Sequence, residues 1–169
     1  MSWKFLGVIF AMLLLSTAPA LGQRVDAGWQ TYTDNEFGFS AQLPLGIFML
    51  DPNGQTPGTT LVERGGSATL RLYGGPAIGV DRNTLEDRLS TGPGISEVTY
   101  RAGGPSWFVL SGFYEPSRPG EETIFYTKVM FSEDRTSFSA FEMTFPAAEK
   151  PRFAPIVEHL EDHFTRPQY

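Results

Sequence analysis

The chain contains no cysteine, so it forms no disulfide and offers no thiolate nucleophile, no cysteine metal ligand and no site for a lipid-on-cysteine anchor. Histidine is almost as scarce. The two present, His159 and His163, lie four residues apart near the C-terminus. Charge is sparse at 19% of residues, and the basic ones are scattered without a Lys/Arg run. With a net charge of −6, such a surface argues against nucleic acid and anionic lipid as partners. No apolar run reaches the roughly 20 residues that a membrane-spanning helix needs.

The longest apolar run, Phe5–Leu15, follows Lys4 and precedes the small-residue stretch STAPALGQ. Positive start, short apolar core and small residues form the pattern of a Sec-type signal peptide. Cleavage is expected after Ala20 or Gly22, with the second preferred because Pro19 would sit just before the first cut. Residues 1–22 are thus expected to be the leader and 23–169 a single globular domain, periplasmic or extracellular, with no membrane anchor after cleavage. Aromatic residues make up 14% of the chain, ample for a core without disulfides.

The C-terminal half is organised around three strand-like segments, 106–114, 123–131 and 137–145, joined by the polar turns EPSRPGE and SEDRT. Alternation sets Trp107, Val109, Ser111 and Phe113 on one face and Phe108, Leu110, Gly112 and Tyr114 on the other. Both faces are largely apolar, so this strand is expected to be central, with cover on both sides. In the third segment Phe141, Met143 and Phe145 oppose Ala140, Glu142 and Thr144. Phe153, Ile156, Val157, Leu160 and Phe164 then form a helical stripe. Because Pro155 lacks a backbone N–H, regular helix is expected from about 155, after a lead-in turn from 150.

Upstream, 39–43 alternates as a half-buried strand after the turn DNEFG, and 59–63 and 68–74 flank RGGS as a hairpin. Residues 81–89 are a short helix candidate capped by Asp81 or Asn83, with Glu86 and Asp87 in its first turn. Residues 95–102 form a further strand. The expected fold is α+β: a mainly antiparallel sheet of about six strands, covered on both faces in an α/β/α sandwich-like arrangement, with a C-terminal closing helix.

Catalytic parts do not assemble from this sequence. Ser111 sits mid-strand without a nucleophile elbow, and Glu115, Glu121 and Glu122 read as solvated loop acids rather than a glycosidase pair. The 51–58 loop offers a single carboxylate, too few for calcium. The glycines of RGGS and YGGP lack the context of a phosphate loop. HLEDH lacks the second-position glutamate of HExxH, which leaves His159 and His163 as a weak Zn²⁺ or Cu²⁺ alternative on a solvated helix face.

The run W-F-V-L-S-G (107–112), with F-Y-x-K (125–128), a strand ending F-P and a helix ending H-F, resembles a group of small, uncharacterised secreted proteins of alphaproteobacteria. The stretch Y-x-D-N-x-F-G-F-S-A-x-L-P (32–44) resembles the opening strand of the PsbP/Mog1-like fold class. That likeness implies an antiparallel sheet sandwiched by helices and a binding or accessory role, with no site residues carried over. The expectation is a non-enzymatic exported domain without a cofactor, binding a protein or small ligand. Trp29, Trp107 and the loops 51–58 and 115–122 are the first places to look for the binding surface. A metal protein using the two histidines, or a hydrolase, is the alternative.

Overall fold

The structure, a computed structural model, describes residues 27–54 and 57–169, so the expected leader at 1–22 lies outside the described residues. The elements in chain order are β1 (Trp29–Thr33), β2 (Ser40–Pro44), β3 (Phe48–Leu50), β4 (Thr59–Glu63), β5 (Thr69–Pro76), α1 (Arg82–Ser90), β6 (Ile95–Gly104), β7 (Trp107–Tyr114), β8 (Thr123–Phe131), β9 (Ser137–Pro146), a 3-10 turn (Ala147–Glu149) and α2 (Lys150–His163). Seven strands form one antiparallel sheet in the order β3-β4-β5-β9-β8-β7-β6, while β1 and β2 pair as a separate ribbon. The fold is α+β, with seven strands in the main sheet against about six expected: the short piece before the 51–58 loop joins as an edge on β4, while the 39–43 strand leaves the sheet to pair with β1. The central strand is β9 rather than β7, which lies one place in from the edge.

On one face the stripe of α2 and the ribbon pack together. Phe153, Leu160, Ile156, Val157 and Phe164 bury against Leu70, Leu72, Phe141, Met143 and Phe145, joined by Phe39, Ala41 and Leu43 of the ribbon side. Phe153 stacks on Phe145 at 5.1 Å, and Phe164 meets Phe141 edge-on at 5.2 Å. Each such side chain contributes about 1.5–3 kcal/mol of burial before entropy is charged. Glu63, on the α2 face of β4, is buried and pairs with Arg152 of α2 at 2.5 Å. The chain after α2 runs back along the ribbon, where Thr165 donates its N–H to the Ser40 carbonyl and Gln168 to that of Phe37.

Helix α2 is regular from Lys150, five residues before the expected start, with Pro155 inside it. Proline at that position forgoes only the bond to the first-turn carbonyl of Pro151, and both residues are exposed, so water can satisfy that oxygen. The N-cap of α1 is Asp81, whose side chain accepts from the Thr84 N–H at 2.8 Å. With that cap, Glu86 and Asp87 fall beyond the first turn.

The second sheet face is only half roofed. Helix α1 covers Phe108, Leu110, Phe125, Val129, Phe131 and Ala140 toward the β6 edge. Its line of approach continues into β6, which pairs with β7 through two register shifts. A Cβ on Gly112 would collide there with the Glu97 carbonyl, so that position takes no side chain. Toward β4 and β5, no helix among the described residues lies over this face.

A polar concavity on the unroofed sheet face

Cross-strand register builds the site. Thr60 of β4 lies opposite Arg71 of β5, Arg71 opposite Glu142 of β9, and Glu142 opposite Thr127 of β8. One row over, Val62, Thr69, Thr144 and Phe125 align in the same way. Directly opposed residues on one face lie within side-chain reach. Residues interleaved with these rows, among them Leu61, Leu70 and Met143, point into the α2 core. Period-two alternation thus turns one face of the same three strands apolar and the other polar.

Over this polar floor is a concavity of about 800 Å³. Asp51, Asn53 and Gly54 of the β3–β4 loop line one side. Leu89, Gly92, Pro93 and Ile95, from the end of α1 through its turn into β6, line the other. One of the loops singled out in the sequence therefore borders the site, while Trp29, Trp107 and the 115–122 loop do not.

The floor has two unlike ends. At one, the Glu142 carboxylate accepts from the Tyr114 hydroxyl and from Thr127 Oγ1, each at 3.1 Å. At the other, the Arg71 guanidinium lies over the Tyr73 ring at 4.5 Å. Among the described residues its buried Nε has no hydrogen-bond partner, and neither does the buried Oγ1 of Thr60 on the strand opposite. One row over, Thr69 and Thr144 bond to each other through their hydroxyls at 2.7 Å. Burial pushes the Tyr73 phenol up to about 12, with the Glu142 carboxylate adding and Arg71 opposing. Burial, then Glu142, raises Tyr114 further still. Both phenols are therefore proton-bearing donors at neutral pH and not bases. Neither serine nor histidine lines the concavity. Ser111 Oγ, the hydroxyl weighed for hydrolysis, donates to the Phe125 carbonyl at 2.8 Å inside the sheet. Glu115, Glu121 and Glu122 are exposed. The concavity thus presents an acceptor carboxylate, a guanidinium and hydroxyls on a sheet floor.

The two histidines lie on the opposite side of the molecule from the concavity and form a stack with Trp29. The Trp29 and His159 rings are 3.8 Å apart, and His159 and His163 are 4.0 Å apart with 17° between planes. His159 Nε2 bonds to Gln42 Oε1 at 2.7 Å, and His163 Nδ1 to the His159 carbonyl at 2.8 Å. Parallel stacked rings direct their lone pairs side by side rather than toward one ion. Among the described residues, no group of three or more His, Cys, Asp or Glu side chains gathers at a common point. The stack joins the ribbon to α2.

No protein-family model matches the chain, and no curated protein matches its sequence. Solved structures do match its fold. The Ran-binding protein Mog1p of Saccharomyces cerevisiae superposes with a TM-score of 0.57 at 9% identity, over 81% of this chain and 94% of that one. PsbP (CyanoP) of the cyanobacterium Synechocystis gives a TM-score of 0.57 at 11% identity, over 90% of this chain and 98% of that one. At such identities the likeness is one of fold, and it establishes that this chain folds as Mog1 and PsbP do.

Proposed function

We propose that the chain is an exported, non-enzymatic binding domain of the periplasm whose ligand occupies the concavity over β4, β5, β9 and β8. The observation that carries this reading is the pair of buried, unpartnered donors, Arg71 Nε and Thr60 Oγ1, at one end of that concavity. A buried polar group without a partner costs about 1–3 kcal/mol, and a ligand acceptor removes that cost. Export rests on the leader pattern at 1–22, and a binding or accessory role is compatible with the fold shared with PsbP and with a Ran-binding protein. The experiment is capture from periplasmic extract with the purified protein and with Val62→Trp, which fills the concavity from β4. A small molecule retained by the first and lost by the second supports the reading. A binder held equally by both places the site elsewhere.

A second reading is an accessory protein that docks on another protein. It is favoured by a separate hollow of about 380 Å³ between α2 and β6–β8, floored by Phe113, Ile124, Tyr126 and Phe145 and flanked by the half-exposed Tyr100. Capture of one specific protein, undisturbed by Val62→Trp, is the outcome that favours it.

A further inference from the structure

Resting on the reading of the concavity as a binding site, we propose that its ligand is a small zwitterion, an α-amino acid with an apolar or aromatic side chain. Arg71 and Glu142 sit directly opposite each other on adjacent strands, on the same face. Opposite charges so placed ordinarily pair. Here no ion pair joins them. The guanidinium turns onto the Tyr73 ring, and the carboxylate turns to Tyr114 and Thr127. Contact with the ring face uses none of the guanidinium's N–H donors, and the buried Nε meets no acceptor among the described residues. That leaves a planar fork, with Thr60 Oγ1 on the strand opposite, suited to a carboxylate.

Glu142 is the complement. An ionised carboxylate accepts about four hydrogen bonds, and two are taken by Tyr114 and Thr127. The remaining acceptor capacity faces the same concavity, where a ligand ammonium can use it. A simple anion on Arg71 would bring its charge beside Glu142, and a simple cation on Glu142 would sit beside Arg71. A zwitterion complements both ends. The wall of Leu89, Pro93 and Ile95 with Phe125 supplies an apolar lining for a side chain. The volume, about 800 Å³, leaves room for a large one with water.

Three probes with one side chain separate the ends: L-phenylalanine, hydrocinnamate, which lacks the amino group, and phenethylamine, which lacks the carboxylate. Binding to the purified protein is followed by calorimetry and by amide shifts along β5 and β9. L-phenylalanine is expected to bind at least about tenfold more tightly than either analogue, the scale of one charged hydrogen-bonded contact. Arg71→Gln should weaken L-phenylalanine by about tenfold or more and leave phenethylamine unchanged. Glu142→Gln should do the converse and leave hydrocinnamate unchanged, with the circular dichroism of both variants confirming the native fold. If hydrocinnamate or phenethylamine equals L-phenylalanine, the zwitterion assignment is overturned. Silence from all three probes overturns it as well. In that case a small molecule from extract that Val62→Trp excludes leaves the binding-site reading standing, while a binder indifferent to that substitution removes both.

Discussion

Two threonines on the concave floor make the same substitution run in opposite directions. Thr60 and Thr127 both face the concavity from strands, and valine replaces threonine with little change of volume and equal or better strand preference. Thr127 is 3% exposed, and its hydroxyl donates to Glu142 at 3.1 Å. Thr127→Val removes a hydrogen bond to a charged group and leaves the carboxylate short of a donor, a loss of about 1.5–3 kcal/mol. The Thr60 hydroxyl is buried with no partner, so Thr60→Val removes a cost instead of a bond. The expected gain is about 1 kcal/mol, the low end of the penalty for an unsatisfied buried group. At this chain length a change of 1 kcal/mol moves the melting temperature by roughly 2–4 °C, so the two variants should separate by several degrees. Urea unfolding of the ligand-free protein measures both. Equal destabilisation by the two substitutions would falsify the claim that Thr60 is unpartnered, and with it the idea that this face is held ready for a ligand.

The remaining expectations concern the rest of the molecule. Leu160→Asp, at a fully buried position of α2, should abolish cooperative unfolding, and a wild-type melting temperature would contradict the stripe packing. Burial, then His163, holds the His159 pKa below its ordinary value, with Asp162 opposing. The unfolded chain therefore binds the proton first, and stability should fall as pH drops from the ordinary histidine range toward the lower folded value. His159→Gln should flatten that segment of the profile, and an unchanged slope would assign it to another group. At the alkaline end the sign reverses in pH. Because Tyr73 keeps its proton to about 12 when folded and to 10.0 ordinarily, stability should decline across that interval, and less so in Tyr73→Phe. Titration with one equivalent of Zn²⁺ should leave the ring resonances of His159 and His163 in place. A stoichiometric shift abolished by His159→Ala/His163→Ala would restore the metal alternative.

Much of the scaffold was readable in order along the chain because its causes are local. Alternation grouped Phe108 with Leu110 and Met143 with Phe141 and Phe145, each group packing into one core, and the 3.6-residue period found every buried position of α2. The start of α2 was less readable, since proline's penalty depends on whether the orphaned carbonyl can reach water, which is settled only when the helix is seated on the sheet. Strand order was not legible for a related reason. An apolar run reports burial on both faces, and β7 gains that between α1 and the α2 layer while standing next to the edge.

The concavity escaped because its parts come from strands far apart in the chain and become neighbours only through pairing. Thr60, Arg71, Thr127 and Glu142 are each unremarkable polar positions in an alternating strand. Their meaning comes from the order β4-β5-β9-β8, which lays them side by side. One signal was nonetheless present. Glu142 and Thr144 alternate with Phe141, Met143 and Phe145 in the strand that proves central, and a central strand with a polar face must show that face to something other than a hydrophobic layer. A roof over only the β6 half of the sheet answers where that face looks. The helix that covers Phe108 and Val129 is nine residues long, and its last turn, at Leu89, borders the concavity. A longer α1 would bury Arg71 and Glu142 under apolar side chains and force them to pair with each other at the cost of desolvating both. The short helix, the turn at Gly92 and Pro93 and the unpaired guanidinium are thus one arrangement. The sheet stops being core where the helix ends, and the charges left uncovered there are free to meet a ligand rather than each other.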